Sequence, residues 1–193
     1  ELLAGPDAFE TDIGMTTEIP EGTELLGVDI ADGEATVDLS GEFQSGGGSL
    51  SMQLRVAEVV FTLTQFDTVE TVSIELDGEA VESIGGEGID ATDLTRGEMS
   101  NVTPFILVES PVPGETVTSP LEVTGIANTF EATVLYSMPD GDGLIVDEGF
   151  TTATAGNGTW GDFTFTTTFE VPRAGLGALI VFQESAEDGS QTD

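Results

Sequence analysis

The chain has 193 residues, of which 37 are Asp or Glu and three are basic, giving a formal net charge of −34. It contains no Cys and no His, which excludes disulfide bracing, thiolate chemistry and zinc sites built on those ligands. Free nucleic acid and anionic membrane surfaces are disfavoured partners, because three arginines cannot neutralise many phosphates.

Apolar residues make up 38% of the chain and include 11 Phe, enough for folded cores despite a charge that alone would suggest disorder. The length suits two small domains. Residues 1–99 carry 23 acids against two arginines, and residues 100–193 carry 14 against one, a net −21 and −13. Charge spread over both halves reads as a property of the whole surface, and an acidic, lysine-free surface is what solubility in high salt selects. A binding face for a basic partner or for cations is the competing explanation, and it would concentrate the acids in one patch. No run approaches the roughly 20 apolar residues of a membrane span.

In chain order, Glu1 to Ala4 followed by Gly5-Pro6 reads as the last turn of a helix, closed by a glycine cap and a proline. Leu25 to Ile30 and Ala35 to Leu39 alternate as strands around a hairpin at Asp32-Gly33, with Ala35, Val37 and Leu39 on one face. Gly46-Gly47-Gly48 acts as a linker without the Lys of a phosphate loop, and Ser49 is placed to cap a helix running to about Phe66. Leu50, Leu54, Ala57 and Phe61 give that helix a core stripe, widened by Val56, Val60 and Leu63. Thr71 to Leu76 is a third strand before a turn at Asp77-Gly78, and residues 82–101 read as a surface segment with few apolar anchors. The expected first domain, residues 1–100, is an α+β unit with one prominent helix on a small antiparallel-rich sheet.

From residue 101 to 193 the pattern is all-β. Phe105–Glu109, Leu121–Ala127, Ala132–Met138, Leu144–Thr154, Phe163–Val171 and Ala178–Glu184 are runs of sandwich-strand length separated by Pro, Gly and Asp. Ala132, Val134, Tyr136 and Met138 share a phase, as do Phe163, Phe165 and Phe169. With no cysteine pair between the sheets, Trp160 and the Phe residues are expected to supply the core.

The stretch from Ser110 to Phe150, then Gly158-Thr159-Trp160-Gly161-Asp162-Phe163, then Glu184 to Ser190, resembles the Gmad2 domain, an immunoglobulin-like module named from bacterial spore-germination proteins. Upstream, Ile19 to Val28, Ala35 to Ser40, Arg55-Val56-Ala57 and Thr62 to Phe66 are similar to the GerMN domain. GerMN followed by Gmad2 recurs in bacterial cell-envelope and sporulation proteins, many of them lipoproteins. The resemblance implies an immunoglobulin-like sandwich after an α+β domain that lacks N-terminal elements of its family. It also implies an extracytoplasmic protein, at the cell surface or secreted, tethered by an upstream segment, and it brings no catalytic residues.

Two candidate sites stand out. If the third sandwich strand pairs antiparallel with the last, Glu131 and Glu184 meet at one end of the sandwich, where they would share a proton, recruit a cation or accept backbone amides. Ser185 and Asp188 could join them; loop-capping hydrogen bonds are the competing reading. Asp140-Gly141-Asp142-Gly143 opens like a calcium loop, yet Leu144 sits where an EF-hand needs an oxygen ligand, so a hairpin turn with at most weak cation binding is expected at Asp140 and Asp142.

Without His, Cys or Lys, the usual general bases and activated nucleophiles are missing, so no enzyme and no cofactor are expected. The leading reading is a noncatalytic scaffold or protein-interaction module whose partner is an envelope protein, a cell-wall component or another copy of itself. The alternative is a ligand-sensing or polysaccharide-binding accessory domain; an aromatic-lined groove would favour that, and a flat apolar patch would favour assembly. The charge generates one prediction. Thermal melts in rising potassium chloride should shift upward into the molar range, because screening relieves repulsion among carboxylates with almost no basic partners; a flat or falling midpoint would remove the high-salt reading.

Overall fold

A computed structural model describes residues 2–86, 88–171, 173–185 and 190–192, and the chain divides into two compact units, residues 1–102 and 103–193. The first is α+β. Leu2–Ala4 forms a single 3-10 turn, ended by Gly5 at φ 68° with its N–H on the Leu2 carbonyl. A short helix, α1 (Ala8–Asp12), follows; the Asp7 and Glu10 side chains cap each other's backbone N–H.

The sheet runs in the order β1 (Leu25–Ala31), β2 (Glu34–Leu39), β3 (Thr71–Leu76), β4 (Glu79–Ala80). Asp32 and Gly33, both at positive φ, close the β1–β2 hairpin, and Asp77-Gly78 does the same between β3 and β4. The central pair, β2 with β3, is parallel. It needs a crossover, and the crossover is the main helix, α2 (Ser49–Leu63). At the far end of this pair the Gly41 N–H donates to Asp77 and the Gly78 N–H to Asp38, each at 2.9 Å, so two acids clasp the strand ends. A Cβ at Gly41 would lie 2.6 Å from the Asp77 carboxylate and would displace it from its present position.

Helix α2 differs from the sequence expectation in cap and phase. Gly48 is the cap residue, without a side-chain bond, and the helix ends at Leu63. The face turned to the sheet carries Met52, Val56, Val59 and Val60, packed with Ala35, Val37, Leu39, Val72 and Ile74. Leu50 is exposed, and Leu54 and Phe61 are half-buried on the flank, where the Arg96 guanidinium lies 4.9 Å from the Phe61 ring. Arg55 sits within the buried face at 2% exposure, donating to the carbonyls of Phe43 (2.6 Å) and Ser45 (3.0 Å) and to Ser51 Oγ (3.0 Å). Burial lowers its pKa, and the charges of Glu18 and Glu58 act in the opposite direction.

Residues 82–101 also depart from expectation. They form a small hairpin, β5 (Ser83–Ile84) with β6 (Ile89–Asp90), and they bury Ile84, Ala91, Leu94 and Met99 in the main core. The cause is hydrogen bonding along β3: the Ile74 N–H reaches the Ala91 carbonyl, and Val72 and Leu94 exchange both bonds. Strand β1 lies at the other edge. Leu26, Val28 and Ile30 are about half exposed there, although Val28 and Ile30 pair in register with the buried Val37 and Ala35.

The second unit is an all-β sandwich. One sheet has the order β11 (Gly161–Thr167), β8 (Leu121–Ala127), β7 (Ile106–Ser110). The other has β10 (Ile145–Thr152), β9 (Thr133–Pro139), β12 (Ile180–Glu184), β13 (Gln191–Thr192). The core is mostly aliphatic: Ile106, Val123, Ala127, Val134, Ala153 and Phe163 are buried. Trp160 and Phe169 are only half-buried, and Phe105, Phe130 and Phe150 are exposed, so the aromatics do not dominate it. Gly125 in β8 sits at a crowded point of the sheet; a Cβ there would meet the Leu107 carbonyl at 2.2 Å and the Phe163 ring at 2.7 Å.

A polar staple joins the sheets. The Tyr136 hydroxyl (3.1 Å) and the Thr167 hydroxyl both donate to Asp147 Oδ2, and the Tyr136 ring stacks on Phe165 of the opposite sheet with centroids 4.2 Å apart. Burial first, then the hydrogen bond to Asp147 and its charge, raise the Tyr136 pKa above 10.0; Thr167 acts against this.

Two predictions rest on these contacts. Arg55→Ala should cost about 3 kcal/mol in the first unit's chemical denaturation, because it leaves carbonyls without donors in a buried site, whereas replacing the exposed Arg173 should leave the curve in place. Tyr136, the chain's single tyrosine, should give a phenolate absorbance transition above the ordinary pH of 10.0. Its folded pKa is raised, so its contribution to stability is complete below 10.0 and is lost as pH rises towards the folded value; Tyr136→Phe should remove that alkaline loss.

Candidate functional site

After β8 the chain turns through Asn128 and Thr129 into a 3-10 turn, Phe130–Ala132, and then into β9. Glu131 (φ 52°) and Ala132 (φ 58°) both lie in the left-handed region, which side chains with a Cβ enter at some cost. The neighbouring turn holds them there. The Thr129 carbonyl accepts from Ala132 and Asn157, the Glu131 N–H donates to Asn157 Oδ1 at 3.0 Å, and the Gly158 N–H donates to Asn128 Oδ1 at 2.8 Å. From β12, Gln183 Oε1 accepts the Phe130 N–H at 3.2 Å. The turn is therefore anchored on two sides, and its side chains project from a fixed backbone.

Strand β12 pairs antiparallel with β9, matching Phe182 with Leu135 and Val181 with Tyr136. This register brings the end of β12 beside the start of β9. Glu131 and Glu184 consequently line the same open cavity, of about 420 Å³, at the end of the sandwich. Among the described residues neither carboxylate accepts a hydrogen bond, so the loop-capping role falls to Asn157 and Gln183 instead. Ser185 lines the cavity as well, whereas Asp188 lies outside the described residues. Among the described residues no group of three acids is placed to hold a metal ion.

Asp140 and Asp142 sit at the β9–β10 turn, away from this cavity. Asp140 Oδ1 accepts the N–H groups of Asp142 (3.0 Å) and Leu144 (2.9 Å), so it caps its own hairpin. Asp142 makes an exposed ion pair with Arg173 at 3.8 Å.

The sequence reading missed the aromatic part of the cavity. Phe130 and Phe150 line it with Leu135 and Thr133, and the two rings are 56% and 72% exposed. Phe150 pairs with Leu135, which pairs in turn with Phe182, so an apolar row crosses the outer face of three strands. A signal was present: Phe150 shares its strand phase with Glu148 and Thr152, placing an aromatic among residues of the polar face.

Residues 105–190 match the Gmad2 family, described as the immunoglobulin-like domain of bacterial spore germination, and residues 1–82 match the Germane family, described as sporulation and spore germination. No curated protein matches the chain. Among solved structures, the chain is similar to one described as a lipoprotein from Clostridium perfringens, at 25% identity and a TM-score of 0.46, covering 52% of this chain and 65% of that one. It is also similar to the first GerMN domain of the sporulation protein GerM from Bacillus subtilis, at 30% identity and a TM-score of 0.39 over 44% of this chain and 63% of that one. The tandem GerMN domains of GerM give 20% identity and a TM-score of 0.41, over 82% of this chain and 46% of that one. The chain thus spans less than two thirds of the length of each of these structures. Taken with the α+β unit and the sandwich that follows it, the two family matches identify residues 1–82 as a Germane-family, GerMN-like domain and residues 105–190 as a Gmad2 immunoglobulin-like domain.

Proposed function

We propose that this protein is a noncatalytic, extracytoplasmic interaction module of the sporulation and germination kind, binding an envelope protein or a cell-wall component through the end of its sandwich. Membership in the Germane and Gmad2 families supports the setting. No helix among the described residues is long and apolar enough to cross a membrane. The absence of His, Cys and Lys from the sequence supports a noncatalytic role, since it removes the usual bases and nucleophiles.

One observation carries the contact function. Phe130 and Phe150 stand exposed beside one cavity, and Phe150 continues into the apolar row of Leu135 and Phe182; contiguous exposed apolar surface of this kind is a feature of contact sites. A second reading, polysaccharide binding, is favoured by the same feature, because aromatic rings bordering a groove can stack on sugar rings. The acidic surface is read as an adaptation to high salt.

Co-sedimentation with the host's envelope fraction tests the proposal. The wild type should be retained, and Phe130→Ala/Phe150→Ala should bind about tenfold more weakly, the loss expected of two contact aromatics. Equal retention of both proteins would overturn it. Retention on protein-free cell wall would select the polysaccharide reading.

A further inference from the structure

We propose that the cavity bordered by Glu131 and Glu184 receives a basic side chain, arginine ahead of lysine, from a partner protein. The inference rests on the interaction-module reading and names the chemistry of its partner. Two carboxylates from separate elements face one cavity, and among the described residues neither has a hydrogen-bonding partner. The unit's single basic residue is Arg173, and it pairs with Asp142 at the opposite turn. Glu131 and Glu184 are both solvent-exposed, and with the unit's single arginine engaged elsewhere, any counter-charge beyond water is supplied by a partner.

The lining decides which cation. Calcium takes six to eight oxygen ligands, and magnesium demands an octahedral set, neither of which two carboxylates beside phenyl rings supply. An organic cation gains from both components. A guanidinium can lie flat on a ring, with its N–H groups directed at a carboxylate, and arginine has the planar fork that suits this better than the point charge of lysine. A free amine would leave Phe150, at 72% exposure, mostly uncovered. A side chain carried on a polypeptide brings apolar surface to cover the row of Phe150, Leu135 and Phe182. The site is also set before binding, since Asn157 and Gln183 fix the backbone of the turn and little ordering entropy remains to be lost.

The test uses the full chain and a blocked Gly-Arg-Gly-Arg-Gly peptide, followed by amide chemical shifts at low salt. Expected are shifts concentrated at residues 130–135 and 183–185, and affinity at least about threefold weaker for Phe150→Ala and for Glu131→Gln/Glu184→Gln. The control Glu21→Gln/Glu24→Gln should bind as the wild type does. Phe150 is exposed, so its replacement should leave amide dispersion intact, which the same spectra report. Equal binding of a citrulline peptide, an equal loss in the control pair, or shifts spread over the whole surface would overturn the proposal. An N-acetylglucosamine oligomer that shifts these amides where the arginine peptide does not would also overturn it, while leaving the interaction-module reading in place. Arginine binding without any Phe-dependent envelope retention would sink the broader reading alone.

Discussion

Thirty-seven carboxylates share three arginines, so most acids in this protein must find partners other than arginine: water, hydroxyl side chains or the main chain. The fold is organised around that shortage. Backbone N–H groups stand in for cations: Asp38 and Asp77 clasp the ends of the parallel strands, Glu58 accepts the Glu18 N–H at 2.8 Å, and Asp140 caps its own hairpin. Each of these bonds is charge-assisted and fixes a turn or a chain entry as well as satisfying the acid. Arg55 shows the reverse assignment, binding carbonyls in the core of the first unit. Its role is to hold the loop before α2 against the helix.

The sandwich meets a related constraint without a disulfide. Its buried core is mainly small aliphatic side chains, and the Tyr136–Asp147–Thr167 group together with the Tyr136–Phe165 stack supplies directional contact between sheets. Directional bonds fix relative position in a way that aliphatic packing alone does less well. The cavity lies at one end of this framework, on a turn held by Asn157 and by Gln183, so the same rigidity reaches Glu131 and Phe130.

Much of this was legible in the sequence where local chemistry decides the outcome. The Asp-Gly turns, strand β2 with its alternating burial, and the two-part α+β and all-β organisation follow from residue type and period. Helix α1 was not expected: its Asp7–Glu10 capping box is a local signal, but the helix is too short to show periodicity. What was not legible depended on tertiary partners. The phase of α2 is set by a sheet that favours its valines over Leu50, and Ile84, Ala91 and Leu94 become core only because their segment bonds along β3. That Glu131 and Glu184 line one cavity follows from the pairing of β9 with β12, whereas the two Phe residues that give the cavity its character emerge only from the register.

Strand β1 carries a consequence of its own. It leaves Leu26, Val28 and Ile30 half exposed along a sheet edge, the arrangement from which strands of separate molecules can add to one another. Asp29 within the strand and Asp32 and Glu34 at its hairpin place like charges on every approaching copy. The repulsion that burdens the folded state therefore also acts as a gatekeeper against templated growth. Salt screens both kinds of repulsion at once, that among the acids of one molecule and that between two molecules approaching at this edge.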